Sequence, residues 1–167
     1  IAGTNYTWSV TDANGCAAFN SSITVTQPAQ LTANAAITSA INCNGGSAVV
    51  TITANGGTTP LSYTVNGVPD TDGIINNVTA GNYNWSVTDA NGCTPITGNI
   101  AVTQPTPLSI TSATVTTPIA CNGGTGVVTI VATGGTGVLS YTFNGQTNTT
   151  GVFANVYAGN NLSYSVT

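Results

Sequence analysis

The chain contains no lysine, arginine, histidine, glutamate or methionine. Its only charged side chains are four aspartates, which give the 167 residues a formal net charge of −4. Without cations the chain cannot neutralise phosphates, so nucleic-acid binding and attraction to an anionic membrane surface are excluded. General acid–base catalysis and oxyanion stabilisation lose nearly all of their usual side chains. The sequence therefore predicts a protein that is not an enzyme.

Long apolar runs and helical periodicity are also missing, so no membrane insertion is predicted. Hydrophobic residues still make up 41% of the chain, which is enough to form a core. Apolar and polar residues alternate in short runs, as in Tyr83, Trp85 and Val87, and Asn-Gly or Gly-Gly pairs separate these runs. Such pairs supply the positive φ values that tight hairpin turns need. The pattern predicts an all-β fold.

The sequence repeats itself with a long period. Cys16 and Cys93 are 77 residues apart, and Cys43 and Cys121 are 78 apart. Three motifs recur at this spacing: Val-Thr-Asp-Ala-Asn-Gly-Cys at 10–16 and 87–93, Thr-Gln-Pro at 26–28 and 103–105, and Cys-Asn-Gly-Gly at 43–46 and 121–124. The period predicts the C-terminal part of one module at 1–28, a complete module at 29–105 and the N-terminal part of a third at 106–167, as in a window from a longer polypeptide.

Each module has room for six or seven strands in about 78 residues, which predicts a small immunoglobulin-like β-sandwich. Pro28 and Pro105 end strands at short junctions, so the tandem modules are expected to form an elongated, semi-rigid rod. Trp85 also permits a second interpretation, a platform on which a sugar ring stacks. The aromatic residues in register with core positions, and therefore predicted to be buried, are Trp8, Trp85, Tyr164, Tyr63 and Tyr141.

Four cysteines in a chain without histidine argue against zinc and favour disulfides in an oxidising, extracellular compartment. The sequence predicts a Cys43–Cys93 disulfide inside one module, with Cys16 and Cys121 paired to residues outside this chain. In a sandwich, however, the first and last hairpin turns lie at opposite ends. Cys43 would then pair with the last-hairpin cysteine of the following module. Buried free thiols are the remaining alternative.

The four aspartates offer one possible cofactor, calcium. Asp12 and Asp89 each precede Ala-Asn-Gly, which is typical of a turn aspartate that accepts backbone N–H groups, with calcium ligation as the alternative. Asp70 and Asp72 are better calcium candidates because two carboxylates flank a Gly turn. This loop lacks the distal glutamate of a calcium loop, and the third module has Asn148 in the same neighbourhood. No other cofactor is predicted.

These motifs resemble the SprB repeats of cell-surface proteins from gliding Bacteroidota. The resemblance covers essentially the whole chain: Cys-Asn-Gly-Gly, Gly-Gly-Thr before a Tyr strand at 56–58 and 134–136, Asn-Gly at 66–67 and 144–145, Val-Thr-Asp-Ala-Asn-Gly-Cys and Thr-Gln-Pro occur in the family's order. It implies a large exported adhesin, secreted by the type IX system and moved along the cell during gliding, with the repeats as its stalk. It implies no catalytic residues. Tyr164 stands where the other modules have Trp8 and Trp85.

The sequence therefore predicts a structural stalk segment of an extracellular, cell-surface adhesin, with neighbouring repeats of the same polypeptide as its partners. Two alternatives remain open. Each repeat could bind surface polysaccharide through exposed Thr, Asn or Tyr side chains. The low-charge surfaces could also associate sideways with other copies of the fibre, as in a filament subunit.

Overall fold

A computed structural model of the protein describes residues 2–159 and 162–167. Ile1, Asn160 and Asn161, which the predicted module ranges 1–28 and 106–167 include, lie outside the described residues. The described part of the chain contains strands and no helix, so the all-β prediction is confirmed and no helix there could cross a membrane. The strands are β1 Asn5–Val10, β2 Phe19–Thr24, β3 Thr32–Ser39, β4 Ala48–Asn55, β5 Ser62–Val65, β6 Val68–Asp70, β7 Ile74–Val78, β8 Gly81–Thr88, β9 Ile96–Val102, β10 Ser109–Thr117, β11 Thr125–Thr133, β12 Tyr141–Phe143, β13 Gln146–Asn148, β14 Val152–Tyr157 and β15 Tyr164–Val166.

Two Asn-Gly pairs form the hairpin turns that their chemistry predicts. Asn66 and Gly67 have φ values of 49° and 79°, and they join β5 to β6. Asn144 and Gly145 have φ values of 45° and 82°, and they join β12 to β13. Positive φ at both central residues gives a turn whose twist matches that of the flanking strands.

The repeat in sequence is also a repeat in strand order. Strands of the second repeat (29–105) form one sheet in the order β3-β4-β7 and another in the order β6-β5-β8-β9. Those of the third repeat (106–167) form the sheets β10-β11-β14 and β13-β12-β15, and the hairpin β1-β2 is a separate two-stranded sheet. The third repeat thus reproduces the order of the second, strand for strand, over the strands that both contain.

The chain divides into two compact units, which do not coincide with the repeats. The first comprises Ile1–Ala35, Ile52–Gly73 and Asn84–Asn99. The second comprises Ala36–Thr51, Ile74–Tyr83 and Ile100–Thr167.

Among the described residues of the second unit, two hydrophobic clusters each join strands of different sheets. In one, Val50 of β4 and Val78 of β7 are buried with Val102 of β9. In the other, Ile130 of β11 and Phe153 of β14 pack with Phe143 of β12, and the two phenylalanine ring centroids are 5.4 Å apart. Face-to-face packing of apolar strand faces is the defining feature of a β-sandwich. The fold is therefore sandwich-like.

The first unit buries the central residues of β8. Trp85 is 8% exposed and Val87 is fully buried. The indole lies over Gly98 of β9, where a Cβ atom would collide with the ring. Glycine at this position therefore leaves room for the tryptophan.

The other aromatic residues predicted to lie in the core differ in burial. Tyr63 and Tyr141 are half-buried, and each ring packs on a turn glycine, Gly73 or Gly151. The prediction is wrong for two positions, Trp8 and Tyr164, which are 44% and 48% exposed. Trp8 lies in the two-stranded sheet β1-β2, in which every residue is exposed, and Tyr164 lies in an edge strand.

Candidate functional site

The heptapeptide motif ends in a loop that is held together by a carboxylate. Asp89 is buried, and its Oδ1 accepts a hydrogen bond from the backbone N–H of Cys93 at 3.0 Å. Its Oδ2 accepts one from the N–H of Thr58 at 3.1 Å. The Asn91 side-chain amide donates to Thr58 Oγ1 at 2.9 Å. Residues 89–93, which we call the Asp loop, are thereby fixed to the Gly-Gly-Thr turn at 56–58.

Backbone N–H groups replace the missing cations around this carboxylate. The N–H of Cys93, and then that of Thr58, hold the pKa of Asp89 below its ordinary value of 3.8, against the opposing effect of burial. The negative charge of Asp89 in turn raises the pKa of the Cys93 thiol. The Asp loop therefore favours a carboxylate beside a protonated, weakly nucleophilic thiol.

Asp12 makes the corresponding bonds within its own loop in the first repeat (1–28). Its Oδ1 accepts the N–H groups of Asn14 at 3.1 Å and Cys16 at 2.9 Å. The bond from Cys16 is the main reason that the pKa of Asp12 is lowered. This geometry agrees with the interpretation of both residues as turn aspartates.

The calcium candidates also form a turn. Asp70 Oδ1 accepts the N–H groups of Asp72 at 3.2 Å and Gly73 at 2.7 Å. In the third repeat Asn148 Oδ1 accepts those of Thr150 at 3.0 Å and Gly151 at 2.8 Å. A neutral amide performs the same task there, so the turn does not need a charge. Within residues 2–159 and 162–167 no three acidic, cysteine or histidine side chains are grouped to hold a metal ion, and calcium binding stays a prediction.

All four cysteines are exposed and carry free thiols. The predicted Cys43–Cys93 disulfide is therefore not formed, and Cys43 belongs to the second compact unit whereas Cys93 belongs to the first. Buried thiols are also wrong for these positions. Pairing of Cys16 and Cys121 with residues outside the chain stays a prediction.

The linker segments, 27–30 and 104–107, are each clamped by the Gly-Gly turn of the repeat that follows. Gly57 N–H donates to the Ala29 carbonyl at 2.8 Å, and Gly135 N–H donates to the Thr106 carbonyl at 2.9 Å. The preceding glycine of each turn, Gly56 or Gly134, comes so close to a linker carbonyl that a Cβ atom would collide with it. The same clamp therefore occurs in two repeats.

A second set of contacts also holds the linker 104–107. The turn at 43–46, which we call the Cys turn, approaches it through Asn44 Nδ2, which donates to the Pro105 carbonyl at 3.0 Å. Gly45 N–H donates to Gln104 Oε1 at 2.8 Å. Thr136 of the third repeat donates its hydroxyl to the carbonyl of Asn42, next to the Cys turn. Two turns, one from the second repeat and one from the third, therefore bind this linker.

Sequence analysis did not single out Gln104 or Thr136 as contact residues. Their signal was present, because Gln104 belongs to the recurring Thr-Gln-Pro and Thr136 to the recurring Gly-Gly-Thr. A polar residue that recurs outside a strand without a local partner is a candidate for a contact between repeats.

The chain matches no protein-family model and no curated protein. The likeness to SprB repeats therefore depends on the motifs alone.

Acid should weaken the fold through Asp89. The pKa of Asp89 in the folded state lies below its ordinary value of 3.8, so the ionised carboxylate stabilises the fold. This stabilisation is complete at pH values above the pKa of the unfolded state. It is lost as the pH falls through the pKa of the folded state. We expect urea unfolding midpoints to fall between pH 5 and pH 2, and Asp89→Asn to be less stable at pH 5 with a shallower acid decrease.

Asp70→Asn is the matched control for that experiment, because Asn148 already performs the same role in the third repeat. It should have nearly wild-type stability at pH 5. Equal acid profiles for the wild type and Asp89→Asn would show that the Asp89 carboxylate does not stabilise the fold.

Proposed function

We propose that this chain is a non-catalytic stalk segment of a large secreted cell-surface adhesin, in which immunoglobulin-like modules in an elongated tandem array hold an adhesive tip away from the cell. The observation that carries the proposal is the clamp that recurs at two linkers. Gly57 binds Ala29 and Gly135 binds Thr106 with nearly equal N···O distances, 2.8 and 2.9 Å. Each clamp fixes the start of a module, at Ala29 or Thr106, to a turn of that same module, so successive modules receive the incoming chain in the same way.

The contacts of the Cys turn support a stiff junction. The linker at 104–107 accepts hydrogen bonds from Asn44 and Gly45 of the Cys turn and from Gly135 of the Gly-Gly turn. Pro105 and Pro107 restrict the backbone further, because proline fixes its own φ. A short linker with these restraints bends little, and limited bending is the property that a stalk needs.

The strand order supports immunoglobulin-like modules. The second repeat has seven strands, β3 to β9. The first, second and fifth of them (β3, β4 and β7) form one sheet, and the remaining four form the other in the order β6-β5-β8-β9. Three strands facing four in this order is a seven-stranded sandwich of the immunoglobulin kind. The chain would enter such a module at one end and leave it at the other.

Within the complete repeat, the chemistry favours a passive role over sugar binding. Trp85, the best aromatic platform in the complete repeat, is buried, and Asp12, Asp70 and Asp89 serve as turn acceptors. The extracellular location and type IX secretion are inferred from the likeness to SprB repeats and from the cysteines.

Removing whole repeats from the intact surface protein tests the stalk. Each module should add about 35–45 Å, since strands of about eight residues at ~3.3 Å per residue span roughly 26 Å before their turns. Fibre length in electron micrographs should therefore fall by one such step for each repeat removed, while tip affinity stays unchanged. Fibres of unchanged length would contradict the proposal.

The two alternatives give different results with the isolated chain. A polysaccharide-binding repeat would be retained in affinity electrophoresis, and retention would rise with the number of repeats through avidity. A filament subunit would sediment as concentration-dependent oligomers in reducing buffer. Saturable retention or reversible oligomers would each replace the stalk with the corresponding function.

A further inference from the structure

We propose that the cysteine of the Cys turn in one repeat forms a disulfide with the cysteine of the Asp loop in the following repeat. Such a bond would staple each pair of neighbouring repeats across their linker. The proposal does not depend on the stalk function, because a polysaccharide-binding array could be stapled in the same way.

The Cys turn is already seated on the following repeat. Asn42, next to Cys43, accepts a hydrogen bond from the hydroxyl of Thr136. Thr136 is the residue of the third repeat that corresponds to Thr58 of the second, since both end a Gly-Gly-Thr turn. Cys43 thus lies one residue from a carbonyl that contacts the Gly-Gly-Thr turn of the next repeat.

The Asp loop lies on that same Gly-Gly-Thr turn. In the second repeat, Thr58 Oγ1 accepts the side-chain amide of Asn91, which precedes Cys93 by two residues. The backbone of Thr58 also binds this loop. Its N–H donates to the Asp89 carboxylate, and its carbonyl accepts the N–H of Ala90. Thr58 therefore contacts the Asp loop of its own repeat, and Thr136, its counterpart, contacts the Cys-turn segment of the preceding repeat. The same threonine position thus connects the two cysteine-bearing segments.

The linker gives an independent second connection. Gln27, Pro28 and Cys93 line one open cavity of about 540 Å³. Gln104 and Pro105, the counterparts of Gln27 and Pro28, are the residues that bind the Cys turn. By analogy, the Cys turn of the first repeat would bind Gln27 and Pro28. It would therefore lie at the cavity that Cys93 lines.

The free thiols fit this pairing. In the third repeat the heptapeptide motif is represented only by Val166 and Thr167, so the Asp-loop cysteine that would meet Cys43 is not in this chain. The Cys turn that would meet Cys93 belongs to the first repeat, of which the chain contains 1–28. Both cysteines are exposed and therefore accessible to a partner.

The bond forms by thiol–disulfide exchange with a low-molecular-weight disulfide such as oxidised glutathione. One cysteine thiolate attacks this disulfide, which releases one small thiol and leaves a mixed disulfide on the protein. The second cysteine then displaces the other small thiol. Two protein thiols are oxidised to one disulfide, one oxidised glutathione is reduced to two glutathione thiols, and the two cysteine protons end on those thiols.

The test adds the missing loop to the full chain. Residues 89–105 appended directly after Thr167 complete the third repeat and bring in one further cysteine. The extended protein is oxidised with glutathione disulfide, digested with pepsin because it has no lysine or arginine, and mapped by mass spectrometry. We expect Cys43 linked to the appended cysteine, with Cys16, Cys93 and Cys121 not joined to one another.

Two variants complete the test. Cys43→Ser should abolish the crosslink, and Cys121→Ser, which alters the same turn in the third repeat, should leave it intact. Thr136→Val, which removes the bridging hydroxyl, should slow crosslinking without altering the unfolding midpoint of the reduced protein by much. A Cys43–Cys93 disulfide, a mixture of pairings, or five cysteines without a protein disulfide in the folded, oxidised protein would each overturn the proposal.

Discussion

Replacing Trp85 with alanine should lower the free energy of unfolding by about 3–5 kcal/mol, because it empties a large buried volume in a small β-sandwich. Trp85 is only 8% exposed and lies against Gly98, where no side chain can move in to fill the space. Urea unfolding followed by circular dichroism measures the loss. A change below about 1 kcal/mol would mean that the indole does not support the core.

Trp8→Ala is the matched control, because Trp8 occupies the same place in the first repeat. Trp8 is 44% exposed and contacts Phe19 with ring centroids 5.8 Å apart, so we expect a loss of about 1 kcal/mol or less. Trp85→Phe adds a second comparison. Trp85 Nε1 is buried and has no hydrogen-bond partner among the described residues, so phenylalanine keeps most of the ring and removes a costly donor. Its loss should be much smaller than that of alanine.

Gly56→Ala should destabilise the protein by about 2–5 kcal/mol through two separate effects. Gly56 has a φ of 77°, which costs an L-residue about 1–2 kcal/mol. A Cβ atom there would also collide with the carbonyl oxygen of Gln30, and such overpacking costs about 1–3 kcal/mol. The substitution should therefore loosen the linker clamp, as a faster amide exchange of Gly57 would show.

Gly67→Ala separates the two effects. Gly67 has a nearly equal φ of 79°, but a Cβ atom there meets no other atom within 4 Å. It should cost only the backbone term, about 1–2 kcal/mol, and leave exchange at Gly57 unchanged. Equal losses for Gly56→Ala and Gly67→Ala would show that the close approach to the linker contributes nothing.

Local features of the fold could be predicted from the sequence because their causes are local. Asn-Gly pairs require particular φ values, and Asn66-Gly67 and Asn144-Gly145 make the expected hairpins. Turn aspartates accept N–H groups two to four residues away, as Asp12 does. These interactions depend on neighbours that are visible in the printed sequence.

Burial could not be predicted in the same way. Trp8 and Trp85 stand in nearly identical motifs, yet one is exposed and the other is buried. The motif fixes the strand and the face of the residue, whereas burial depends on which other strands cover that face. The local sequence does not show which strands pack on that face.

The contacts of the linker were missed for a related reason. Gln104 binds Gly45, 59 residues earlier, and Thr136 contacts Asn42, 94 residues earlier. No spacing rule connects residues so far apart. The Cys43–Cys93 pairing was chosen by module membership alone, whereas the alternative, a bond from Cys43 to the following module, took account of the opposite ends of a sandwich at which the two turns lie.

The use of backbone amides in place of cations has a consequence for the environments that the protein can tolerate. The buried Asp89 is stabilised by N–H groups at 3.0 and 3.1 Å, and the chain has no side-chain cation with which an ion pair could form. Dissolved salt weakens attraction between exposed charges, but it has little effect on short hydrogen bonds to a buried group. The fold should therefore be equally stable in fresh water and in brine.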